Sequence, residues 1–166
     1  SSSNGDRGIM IGFEAHALSM GSRNVTIGYQ SMRLSGVGNS VAIGYQAGRA
    51  NTSAGSTFVG YQSGENNQAA GSVFVGFESG FSNTSGASNT NVGYQAGYSN
   101  TTSAYRTMMG YEAGEFNTGA NNTFIGYHAG TGVSGSSTAD RTTIIGSEAG
   151  EAITTGLLNV LIGYQA

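Results

Sequence analysis

Few residues in this chain are of a type that could do acid, base or metal chemistry, and their spacing keeps them apart. There are two histidines, His16 and His128, and nine acidic residues, with Asp only at Asp6 and Asp140. The histidines fall in different places of a repeating pattern, and both are expected on the surface. Glu14, Glu78, Glu112 and Glu148 share one recurring position that is otherwise Gln or His. Neighbouring repeats do not both carry Glu there, so the close carboxylate pair of general acid–base hydrolysis is not set up. The Asp-bearing nonapeptide of calcium-binding rolls is also missing. No nucleophile–base pair, phosphate loop or metal-ligand cluster can be read, so neither an enzyme nor a cofactor is expected. Two other patterns could meet a ligand. A recurring aromatic column, Tyr29, Tyr45, Tyr61, Tyr94, Tyr111 and Tyr127, could offer ring surface to glycans. Asn24, Asn51, Asn83, Asn100 and Asn121 each open an Asn-X-Ser/Thr acceptor for N-glycosylation, although Asn-rich turns generate such matches by chance.

The element that must position all of these is a repeat. Ile43-Gly44-Tyr45-Gln46-Ala47-Gly48 is rewritten along the whole chain, with its first glycine at 12, 28, 44, 60, 76, 93, 110, 126, 146 and 163. The steps are 16 or 17 residues except for one of 20, between 126 and 146, where a loop of about four extra residues is expected around 131–137. A period near 16 is too short for paired helices or propeller blades. It predicts an all-β parallel solenoid, one domain over 1–166, in which each of ten coils has two short strands and two turns. Ice-binding, glycan-binding and purely structural solenoids all fit that frame.

Three positions before each glycine make the strand. The first and third, such as Val41 and Ile43, are β-branched except at Met109, and their period of two puts them on one face. That face is expected to be the interior, stacked at about 4.8 Å. The position between them carries Met10, Ala42, Phe58, Phe74, Met108, Phe124, Ile144 and Leu161, with Thr26 and Asn91 as the polar members. By alternation it should point outward, as an apolar stripe that either lies under loops or is a subunit interface. The aromatic and Gln/Glu columns that follow are expected to stack as ring and amide ladders. The small residue and Gly after them read as a tight turn, with Gly supplying the positive φ.

Composition narrows the partners. Glycine numbers 29, Pro and Cys are absent, and charged residues make up 9%. A net charge of −3 leaves no basic footprint for nucleic acid. No apolar run approaches the roughly 20 residues of a membrane span. No signal peptide is visible at Ser1-Ser2-Ser3-Asn4, although an excised fragment would have lost one. A polar, Lys-free, Thr/Asn/Ser-rich surface leans towards an extracellular place, on a cell surface or a virion fibre.

Asn39-Ser40-Val41-Ala42-Ile43-Gly44 resembles the head repeats of trimeric autotransporter adhesins. Asn122-Thr123-Phe124-Ile125-Gly126-Tyr127-His128-Ala129-Gly130 is similar to repeats of bacterial surface proteins and phage tail fibres that end in an endosialidase-type chaperone. The adhesin resemblance implies left-handed parallel β-rolls that trimerise and bind host matrix or cell surfaces. The period here is longer than that of the adhesin heads, and Phe, Met and Leu stand where they carry Ala. The expected function is thus a self-assembling fibre or adhesin segment, with itself as first partner and host glycans or matrix as further ones. The alternative is a glycan-binding or ice-binding module with a flat repetitive face. The Thr57, Thr90, Thr107, Thr123 and Thr143 column, expected inside, speaks against ice.

Overall fold

The computed structural model describes residues 8–16 and 21–166; Ser1–Asn4 and Asp6, discussed above, lie outside them. The described chain is an all-β solenoid. Ten three-residue strands form one sheet in sequence order: β1 (Ile9–Ile11), β2 (Val25–Ile27), β3 (Val41–Ile43), β4 (Thr57–Val59), β5 (Val73–Val75), β6 (Thr90–Val92), β7 (Thr107–Met109), β8 (Thr123–Ile125), β9 (Thr143–Ile145) and β10 (Val160–Ile162). Every neighbouring pair is parallel and in register, so Ala42 lies beside Phe58, and Phe58 beside Phe74. The 126–146 step is accommodated by a surface turn at 134–136.

Each described coil has one strand, where two were expected. The rest of the coil is turn, held to its neighbours by backbone bonds that alternate in direction. Gln46 N–H donates to Tyr29 of the preceding coil at 2.8 Å, and Gly48 N–H donates to Ser63 of the following coil at 2.9 Å. Left-handed backbone at Gln46 (φ 53°) and Gly48 (φ 56°) accompanies those reversals. Gly44 has a separate constraint. Its φ is 138°, and a Cβ there would lie 2.3 Å from the carbonyl oxygen of Gly60 in the next coil. Only glycine lets successive coils approach so closely at that corner.

The strand faces are the reverse of the expectation. Ala42, Phe58, Phe74, Met108, Phe124 and Ile144 are fully buried, and the Val/Ile columns on either side of them face outward and are half-buried or exposed. The physical reason is room. Opposite the middle column stand the small residues of the turn: Ala47, Ala96, Ala113, Ala129 and Ala149 are fully buried. A Cβ on Gly64 would fall 2.3 Å from the Phe58 ring. One large side chain against an Ala–Gly pair fills so narrow a coil; two β-branched columns would not fit. Burying each Phe contributes roughly 1.5–3 kcal/mol. The interior divides into two apolar clusters, one with Met32, Ala42, Ala47, Phe58 and Phe74, the other with Met108, Phe124 and Ile144. Between them lie Asn91 and Arg106.

Candidate functional surface

The reversal moves the candidate assembly surface. The interface expected at Met10, Ala42, Phe58, Phe74, Met108, Phe124, Ile144 and Leu161 is not available as a stripe. Six of these are fully buried, Leu161 is partly buried against the second cluster, and Met10 is exposed only in the first coil. The apolar surface that does face solvent comes from the first and third residues of each strand, such as Val41 and Ile43, or Val73 and Val75. It carries no charged side chain. The Thr column turns outward with it, so Thr90, Thr107, Thr123 and Thr143 form four consecutive outward rungs. The premise that set this column inside is overturned by the same packing argument.

Beside the face runs the aromatic ladder, as expected. From Phe13 through Tyr29, Tyr45, Tyr61, Phe77, Tyr94, Tyr111 and Tyr127 the rings stack with centroids 4.9–5.6 Å apart. Each inner ring is covered on both faces by its neighbours, so what solvent meets is ring edge. A sugar stacking face-on would have to displace that ladder. A shorter second stack, Phe81 on Tyr98 at 5.2 Å, was not legible as a column because only two coils carry it. Burial, together with the charges of Glu78 and Glu115, raises the Tyr98 phenol above its ordinary pKa.

The Gln/Glu column forms an amide ladder with a direction. Gln30 donates to Glu14 at 2.7 Å, Gln46 to Gln30 at 2.9 Å and Gln62 to Gln46 at 3.2 Å. Gln95 donates to Glu78 at 2.8 Å and Gln165 to Glu148 at 2.7 Å. An ionised carboxylate can only accept, so Glu stands where a run begins and Gln wherever the rung must also donate. His128 stands next in the column after Glu112, its Nε2 3.0 Å from that carboxylate and its Nδ1 3.3 Å from Glu151. It is half-buried. His16, expected on the surface, is buried, because its ring folds inward to Gly21 N–H at 3.3 Å and to Asn24 Nδ2 at 3.5 Å.

The asparagines need a second correction. Asn24, Asn51, Asn83 and Asn100 are buried, and their amide nitrogens donate into the interior. Asn24 Nδ2 bonds Val37 O at 2.7 Å, and Asn51 Nδ2 bonds Ser53 O at 2.9 Å. Asn67, Asn83 and Asn100 form an interior ladder starting at Asn51, with links of 3.0, 2.6 and 2.9 Å. A glycan on any of these nitrogens would break the fold, because the nitrogen is buried inside the coil and leaves no room for a sugar. Only Asn121 among the acceptors is exposed. The signal for this ladder was in the sequence: Asn51, Asn67, Asn83, Asn100 and Asn117 each follow the first glycine of their repeat by seven residues.

Among the described residues no group of three or more His, Cys, Asp or Glu is placed to hold a metal ion, and no helix is long and apolar enough to cross a membrane. Asp140 and Arg141, the charges of the long step, pair with each other at 3.4 Å. No protein-family model, curated protein or solved structure matches the chain.

Proposed function

We propose that this chain is a structural segment of an extracellular fibre or adhesin, a stiff rod that assembles with copies of itself through the outer face of its sheet. The observation that carries the reading is that face: two columns of Val, Ile, Thr and Met, running the length of ten in-register strands without a charge. Nine steps of about 4.8 Å make the face about 43 Å long, and two columns with the adjoining ring edges make it about 15 Å wide. The resulting patch of roughly 600 Å² is at the upper end of what a monomer ordinarily leaves open and approaches the roughly 800 Å² per partner of a stable interface. The Arg33–Glu14 and Arg49–Glu65 ion pairs lie on the turns, away from the strands, and leave the face free of charge. The adhesin resemblance favours three copies around one axis; end-to-end stacking into a filament is the other arrangement.

Light scattering on the eluting protein tests this. Assembly predicts a mass of two, three or more chains at micromolar concentration. Ile43→Asp, which places a charge on the face without touching the interior, should release monomer. A parent protein that elutes as a clean monomer would sink the reading.

The outward run Thr90, Thr107, Thr123 and Thr143 supports a second reading, in which the flat face orders water and binds ice. Thermal hysteresis in the parent that vanishes in Thr107→Asp would favour it. Glycan contact along the edges of the tyrosine ladder would show as hits on a glycan array.

A further inference from the structure

The aromatic ladder places oxidisable phenols one coil apart in two uninterrupted runs. Tyr29, Tyr45 and Tyr61 stack at 5.2 and 5.1 Å with ring planes 8° apart. Tyr94, Tyr111 and Tyr127 stack at 4.9 and 5.5 Å, with planes 7° and 21° apart. Phe77 separates the two runs, and Phe13 closes the first. In a near-parallel stack like edge lies over like edge, so the ortho carbons of neighbouring phenols are about one ring spacing apart. These six tyrosines are 38–48% exposed. The faces of the inner rings are covered, so a reagent in solution reaches their edges.

The rest of the chain directs one-electron oxidation to these phenols. It has no Cys and no Trp, the side chains that would otherwise lose an electron or trap a radical first. A phenol that loses an electron must also release its proton. At Tyr111 a base is in place, because a hydrogen bond to the Glu112 carboxylate raises the phenol above its ordinary pKa. A phenoxyl radical carries spin on its ortho carbons. Its nearest partner here is the next phenol along the axis, held by parallel backbone about 4.8 Å away. Such enforced proximity lets coupling within a chain outrun the encounter of separate chains.

We propose that the two tyrosine runs are sites of oxidative modification, where hydrogen peroxide and a peroxidase-type one-electron oxidant join neighbouring coils of one chain through dityrosine bonds. The links are Tyr29–Tyr45 or Tyr45–Tyr61 in the first run, and Tyr94–Tyr111 or Tyr111–Tyr127 in the second. Each phenol loses one electron and its O–H proton. The two ortho carbons join, each then sheds its proton, and each oxygen regains one. The pair loses two hydrogens in all, which reduce one hydrogen peroxide to two waters. Forming the bond swings two ring edges together about their Cβ atoms while the strands stay in register. The product staples consecutive coils of the rod.

The test is to treat the full chain, kept dilute, with peroxidase and hydrogen peroxide, and to read dityrosine fluorescence and tryptic maps. Arg23, Arg33 and Arg49 put Tyr29 and Tyr45 on separate tryptic peptides, 24–33 and 34–49. Their link should appear as those two peptides joined and lighter by two hydrogens. Tyr45→Phe and Tyr111→Phe each remove the middle phenol of a run, in a column that already carries Phe at 13 and 77. Each single variant should lose roughly half of the intrachain dityrosine, and the double variant nearly all of it. Unfolding the parent in urea before oxidation should lower the joined peptide several-fold. Exposure alone predicts otherwise: Tyr105 and Tyr164 are the most exposed tyrosines, at 68% and 70%, and their column neighbours are Ser88, Asn121 and Ser147. Dityrosine confined to Tyr105 and Tyr164, links only between chains, or an unchanged yield in the double variant would each overturn the proposal. So would a parent that forms none while free tyrosine couples in the same reaction. The parent's peptide map decides the matter even if a variant fails to fold. Ile43→Asp should couple as the parent does, which keeps a failure of assembly apart from a failure of coupling.

Discussion

The two halves of the interior are built from the same repeat and differ at their junction. On one side Phe58 packs on Phe74, with rings 5.8 Å apart; on the other Met108, Phe124 and Ile144 continue the column. Between them an Asn takes the place of a ring, and an Arg takes the place of a Ser. The comparison separates two kinds of interior position. Within either half a coil is stabilised by one large side chain against small ones, and the polar columns are satisfied by ladders. At the junction neither rule holds: the Asn51–Asn100 ladder stops before Asn117, whose backbone carbonyl is taken by Arg106 instead.

The sharpest way to break the contrast is to empty one half. Phe58→Ala should cost about 3–5 kcal/mol in denaturant melts, because Ala47, Gly48 and Gly64 cannot move in to fill the space. The mirror change is to repair the junction. Asn91→Phe combined with Arg106→Asn should join the two clusters and raise stability by about 1–4 kcal/mol, the range seen when buried charges give way to packed apolar groups. If urea unfolding of the repaired protein is no more cooperative and no more stable than the parent, the junction is not the weak point.

The junction should also reveal itself by pH. Between about 9 and the ordinary arginine range above it, the unfolded chain carries a proton on Arg106 that the folded chain does not. Parent stability attributable to this group therefore rises with pH across that window, and below it the cost of the buried cation is fully present. The advantage of Arg106→Asn over the parent should be greatest below about pH 9 and shrink above it, as read from paired urea melts. The smallest effect lies on the amide ladder. Gln46→Glu removes the donor that reaches Gln30 and should cost about 0.5–1.5 kcal/mol, whereas Gln30→Glu should cost a similar amount by facing Glu14.

Much of this was legible before any coordinates. The period gave the solenoid, because a recurrence near sixteen residues suits one coil and no helical repeat. The stacked rings from Phe13 to Tyr127 and the Ala–Gly turn with its left-handed glycine followed from single columns read by residue type. The long step was recognisable as a loop of about four extra residues from the spacing of the glycines. What misled was the strand. Alternation says that Val41 and Ile43 share one face and Ala42 the other, and it says nothing about which face the coil closes over. The Asn columns misled for a related reason: Asn and Ser serve exposed turns and buried ladders equally well, and composition does not distinguish them.

The sequence by itself determined the repeat, the register and the membership of every column, because each of these follows from spacing. The tertiary structure alone decided which columns are inside. That choice depends on the direction of the turn after Gly44, on the left-handed backbone at Gln46 and Gly48, and on the narrow space left once the chain has come round. Only a small pair facing one large side chain fills that space. The same closure turned the β-branched columns outward into the surface available for assembly, and it enclosed Arg106, which makes no ion pair among the described residues.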